Sequence, residues 1–106
     1  MTIKLPALKT LATYGLTMDE WLDYLGAMGP FDSATCRICE RAQEQFVVDH
    51  QHVRGWKTMP PEKRKLYVRG VICRGCNYFV LTRQVNALEH ANAAVYLTEY
   101  EKRRPK

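Results

Sequence analysis

The chain has 106 residues, 46% of them hydrophobic and 25% charged, which suits one modest core and excludes wholesale disorder. No run approaches the roughly 20 apolar residues of a membrane span, and the first residues lack an export signal, so a soluble, intracellular, cytoplasmic protein is expected. Sixteen Lys and Arg against eleven Asp and Glu leave a net charge of +5, which favours an anionic partner without naming one.

Residues 1–106 read as a single domain: an arm and helix over 1–30, a core over 31–92, and a C-terminal helix with a basic tail over 84–106. Leu5 to Tyr14 is weakly patterned and is expected to lie over the surface. Thr17-Met18-Asp19-Glu20 is a capping box. Met18, Trp21, Leu22, Leu25 and Met28 then recur at helical spacing, predicting an amphipathic core helix that ends at Gly29-Pro30. Gln45 to Val48 and Tyr67 to Ile72 are β-prone. Gln51 to Leu66, with Gly55 and Pro60-Pro61, reads as a long loop without regular structure, a length that often carries function. A helix is expected from about Cys76, and a last one from about Gln84 to Lys102. Its core face would carry Val85, Leu88, Ala91, Val95 and either Tyr96 or Leu97. The cluster Lys102, Arg103, Arg104 and Lys106 reads as a solvated tail, and His90 as helix surface.

Two Cys-x-x-Cys knuckles, Cys36/Cys39 and Cys73/Cys76, are separated by 33 residues. Four thiolates from two tight turns can complete a tetrahedron around one structural Zn²⁺. Paired disulfides would need an oxidising compartment, and a redox motif would explain only one knuckle. In so small a core, a metal that closes this loop contributes to folding itself.

Between the knuckles lies Val48-Asp49-His50-Gln51-His52, and Asn77 follows the last cysteine. Asp and Asn oxygens are hard ligands that suit Mg²⁺ or Mn²⁺, with most of the coordination sphere left to water and phosphate. An imidazole such as His50 suits a general base near neutral pH, provided a carbonyl holds its other nitrogen. Adjacent strand residues face opposite ways, so a bend or bulge is needed to bring His50 to the water while Asp49 holds the ion. His52 could orient phosphate or stand by. Arg54, Lys57, Lys63, Arg64, Lys65, Arg69 and Arg74 crowd the same region and are candidate contacts to phosphate. Trp56 could stack on a base or serve the fold.

This constellation resembles the recombination endonuclease VII family, phage-associated members of the His-Me finger, HNH-like ββα-metal nucleases. The similarity rests on Tyr14-Gly15-Leu16-Thr17, Cys36-Arg37-Ile38-Cys39, Val48-Asp49-His50-Gln51-His52, Val68-Arg69-Gly70 through Cys76-Asn77, and Ala91 to Leu97. The resemblance implies an α+β, zinc-stapled ββα-metal fold with flanking N- and C-terminal helices. It implies Zn²⁺ on Cys36, Cys39, Cys73 and Cys76, catalytic Mg²⁺ on Asp49 and Asn77, His50 as general base and His52 as auxiliary. Duplex or branched DNA would be the partner, in a host cytoplasm if phage-encoded, and homodimerisation stays open. Departures are Gln51 where the family commonly has Asp, Val53-Arg54-Gly55 before a longer basic loop, and Val80-Leu81 after Asn77. The expected function is a divalent-metal-dependent DNA endonuclease. The alternative is a zinc-stapled nucleic-acid- or partner-binding module with a degenerate nuclease site.

Overall fold

The computed structural model describes residues 3–26, 34–80 and 87–105. Met28, the expected stop at Gly29-Pro30, Val85, Leu81 and the start of the last helix at Gln84 lie outside them. The described residues form a small mixed helix-and-sheet fold.

The weakly patterned N-terminal stretch forms a helix. α1 spans Leu8–Tyr14, buries Leu11, and stops at Gly15, whose φ of 68° suits glycine. Gly15 lies directly against the Pro61 carbonyl, which leaves no space for a side chain. α2 spans Met18–Leu25 behind the expected capping box: Glu20 N–H donates to Thr17 Oγ1 at 3.1 Å, and Thr17 N–H donates to Glu20 Oε1 at 3.0 Å. It ends earlier than expected because Gly26 takes a left-handed φ of 84°. Trp21 and Leu22 are buried and Met18 and Leu25 pack against the core, as the stripe required.

β1 (Ala34–Thr35) and β2 (Ala42–Gln43) form a miniature antiparallel hairpin around the first knuckle. β3 (Phe46–His50) pairs antiparallel with β4 (Val68–Cys73), pairing Phe46 with Cys73 and Asp49 with Gly70. The register then slips, so that His50 pairs with Val68 and Arg69 is left as the extra residue. The irregularity at the Asp-His pair is therefore a bulge on the opposite strand.

The segment between β3 and β4 is more ordered than its prolines predicted. It holds a 3₁₀ turn at Trp56–Thr58, α3 at Pro61–Arg64 and another 3₁₀ turn at Lys65–Tyr67. Pro61 sits at the start of α3, where a missing N–H costs nothing. After β4 the chain turns helically, with a π-helical turn at Cys76–Val80.

α4 spans Ala87–Arg103 and buries Tyr96, as one alternative of the expected face had it, but not the aliphatic positions before it. Leu88, Ala91 and Val95 are exposed, while Glu89, Ala93, Tyr96 and Tyr100 are buried. The aromatic stripe prevails because each ring buries more area than an aliphatic side chain and each hydroxyl finds a partner. Tyr96 reaches Asp49 and Tyr100 reaches Gln51 Oε1 at 2.7 Å. Trp21, Ile38, Val68, Val71 and Ile72 fill the centre of the core. Among the described residues no helix is long and apolar enough to cross a membrane.

Candidate functional site

The two knuckles meet. All four cysteines are buried and free of disulfides, and their sulfurs lie within 4.8 Å of one another. A tetrahedral zinc with bonds of about 2.3 Å would set sulfurs about 3.8 Å apart; Cys39 and Cys73 are at 3.9 Å. Backbone N–H groups also point at sulfur, from Ile38 to Cys36 at 3.4 Å and from Cys76 to Cys73 at 3.4 Å. A hydrogen bond from Cys73 and nearby backbone N–H groups hold the Cys36 thiol down to about 4, against its burial. Burial pushes Cys76 up to about 12, and the interaction with Cys36, with burial, pushes Cys73 up as well. Four thiolates this close need a shared cation, and the cluster could hold a metal ion, with zinc the fit for four sulfurs.

Asp49 is 3% exposed, and both its oxygens are engaged. Arg69 Nη2 donates to Oδ1 at 3.1 Å and Arg69 Nε lies 2.8 Å from Oδ2. The Tyr96 hydroxyl donates to Oδ2 at 2.8 Å. Burial, with Asp49 adjacent, pushes the Tyr96 pKa up, so this hydroxyl stays a donor. α4 is fastened to both structural halves. Asn92 donates to the Ile38 carbonyl inside the first knuckle, and Arg103 donates to the carbonyls of Val68 and Arg69 on β4. Arg37, also inside the knuckle, pairs with Glu99 and lies over the Tyr96 ring.

His50, one residue on, turns to the other side and is half-buried in a ring stack. Its ring lies 4.0 Å from Trp56 and 4.8 Å from His52, both nearly parallel, with Tyr14 tilted at 5.5 Å. Burial lowers the His50 pKa, and the neighbouring His52 adds to the effect. Among the described residues no carbonyl bonds the imidazole, so packing between rings sets its orientation instead. His50, His52, Val53, Gly55, Trp56, Lys57 and Thr58 line an open cleft of about 390 Å³.

Of the basic residues, Arg64 is a latch. It donates to the carbonyls of Trp56 (3.1 Å), Lys57 (2.9 Å) and Thr13 (3.2 Å), and its guanidinium faces the Trp56 ring. Lys65 pairs with Glu20, and Arg69 with Asp49. Arg54, Lys57, Lys63 and Arg74 are exposed, and none is in an ion pair among the described residues. Asn77 sits half-buried in the turn after β4, without contact to Asp49 among the described hydrogen bonds. His90 is half-buried rather than on the surface, with Nε2 shielded from solvent.

The bond from Tyr96 to Asp49, the Arg69–Asp49 pair, and the support of His50 by Trp56 and Arg64 escaped the reading of the sequence, although it named these residues in other roles. The one local signal for the first was Gly70, a glycine inside a strand, which marks close approach of another group.

Two phage proteins are similar to this chain over most of its length. The "Gene 59 protein" of Mycobacterium phage D29 is 31% identical over 90 residues, and that of Mycobacterium phage L5 is 33% identical over 91. Each match covers 82% of this chain and 46% of the relative, so the chain spans about half the length of these relatives. No solved structure matches. The family model for recombination endonuclease VII matches residues 8–99, and the chain belongs to that family.

Proposed function

We propose that the chain is a divalent-metal-dependent DNA endonuclease of the His-Me finger type, stapled by one zinc on Cys36, Cys39, Cys73 and Cys76. The observation that carries this reading is the setting of the Asp-His pair at the end of β3. Asp49 is a buried carboxylate, and His50 beside it is a half-buried imidazole, stacked on Trp56 and His52, that lines an open cleft. Arg69 already balances the charge of the buried Asp49 carboxylate, and oxygen donors from Asp49 and Asn77 are of the type that fits a hard divalent ion. When bound there, Mg²⁺ or Mn²⁺ would supply positive charge to the phosphate under attack.

The chain's own residues do the rest. His50, held neutral by burial, takes the proton of the attacking water as its oxygen adds in line to phosphorus. The P–O3′ bond breaks, so products carry 5′-phosphate. His52, exposed beside His50, orients a phosphate oxygen. Arg54, Lys57, Lys63 and Arg74 engage neighbouring phosphates, so binding weakens steeply with salt. Trp56 has one face on His50 and Arg64 close by, which fits a support for the base better than a wedge between DNA bases.

One observation favours a binding module instead: Asp49 is already fully engaged by Arg69 and Tyr96. Supercoiled plasmid incubated with the protein and Mg²⁺ or Mn²⁺ separates the readings. The parent should nick, and a His50→Ala variant that retains zinc should not. Equal silence from both would favour the module.

A further inference from the structure

Asp49 is held by two groups of different character. The Tyr96 hydroxyl belongs to a ring that is buried on α4 and fills the space beside Gly70, so it cannot withdraw without unpacking the core. Arg69 is the extra residue of the bulge, with no cross-strand partner and a side chain that is 20% exposed. Its side chain is largely buried, but its edge reaches solvent, a route outward that the Tyr96 hydroxyl lacks. Its grip on Asp49 is also incomplete. Nη2 makes a directed hydrogen bond, but the Nε–H is aligned with no acceptor although Nε lies 2.8 Å from Oδ2. This is an ion pair with one good hydrogen bond, short of the two-bond fork that arginine forms at its strongest.

A carboxylate at 3% exposure requires a compensating cation in every state of the protein. We propose that Arg69 is the resident counter-ion of Asp49 and that a divalent cation displaces it, so that guanidinium and metal compete for one carboxylate. The inference rests on the reading of Asp49 as a metal ligand. It explains how the site stays folded before metal arrives, and it means that the observed metal affinity is weakened by the competition.

The test uses the zinc-loaded full chain. Mn²⁺ binding is followed by the electron paramagnetic resonance of the free ion, for the parent, Arg69→Met and Asp49→Asn. Removing one charge-assisted hydrogen bond from the competitor should tighten Mn²⁺ binding about tenfold in Arg69→Met, and Asp49→Asn should lose it. If Asp49→Asn loses binding but Arg69→Met binds no more tightly than the parent, the competition is overturned and the ligand role of Asp49 stands. If Asp49→Asn binds as the parent does, the ligand reading itself fails and the proposal with it. Because Arg69→Met leaves a buried carboxylate without a counter-charge and can fail to fold, the parent supplies a second measurement. Its Arg69 guanidinium ¹⁵N resonances should move to those of a solvent-exposed arginine as Mg²⁺ saturates. Resonances unchanged at saturating Mg²⁺ would overturn the proposal.

Discussion

The Tyr96 ring occupies the space that a side chain at Gly70 would need. A Cβ at position 70 would lie 2.8 Å from Tyr96 Cε1 and 3.0 Å from its hydroxyl oxygen. Because Gly70 is the cross-strand partner of Asp49, the glycine is the opening through which the hydroxyl reaches the carboxylate. Gly70→Ala should therefore overpack this contact and destabilise the protein by about 1–3 kcal/mol. Denaturant unfolding measures this. An alanine variant as stable as the parent would mean that the ring yields easily.

Tyr96→Phe keeps the ring and removes only the hydroxyl. A buried oxygen of Asp49 then loses one donor while Arg69 remains, a cost of roughly 1–3 kcal/mol. In a double-mutant cycle with Asp49→Asn, the two sites should couple by at least about 0.5 kcal/mol. Additive effects would show that the hydroxyl contributes to stability without acting through Asp49.

Metal analysis of the purified protein should give about one zinc per chain, as four clustered thiols require. Cys36→Ser or Cys73→Ser should leave an unfolded or aggregating chain, because the cysteines tie the β1–β2 knuckle to the end of β4. A chelated, metal-free protein that melts cooperatively at the parent's temperature would contradict this.

The cysteine cluster was legible in the sequence because two knuckles carry their chemistry in local spacing. The capping box of α2 was legible for the same reason. The Arg69 bulge was not, since it exists only once β3 and β4 pair, and in the sequence Arg69 reads as one more candidate contact to phosphate. The core face of α4 was read from its aliphatic spacing, with Tyr96 or Leu97 at its end; Tyr100 could be placed only once its partner Gln51 was in position, as Tyr96 is by Asp49. The prolines misled because Pro61 begins a helical turn where a proline in mid-helix would break one.

Arg64 joins α1 to the loop beneath the imidazole through three carbonyls. Arg64→Ala should cost about 1–3 kcal/mol and speed hydrogen exchange across residues 51–67. Arg64→Lys should rescue little, because an ammonium cannot reproduce the planar spread of donors. A lysine variant with parental exchange rates would reduce Arg64 to a plain surface charge.

His50 sets the pH at which the proposed base works. Burial is the larger cause of its lowered pKa and the charge of His52 the next, and both disfavour the imidazolium. The neutral base therefore persists to lower pH than an ordinary imidazole of about 6.5 allows. An NMR titration of His50 in the metal-free site should show a midpoint below that value, and the acid limb of DNA cleavage should also fall below it. Trp56→Ala uncovers one face of the ring, so the midpoint should move up toward the ordinary value; His52→Ala should move it the same way by less. Uncovering the ring also frees it to turn, so Trp56→Ala should lose rate at every pH as well as shift the limb. A loss of rate with an unmoved midpoint would assign Trp56 to orientation alone, and burial of His50 to the rest of its surroundings.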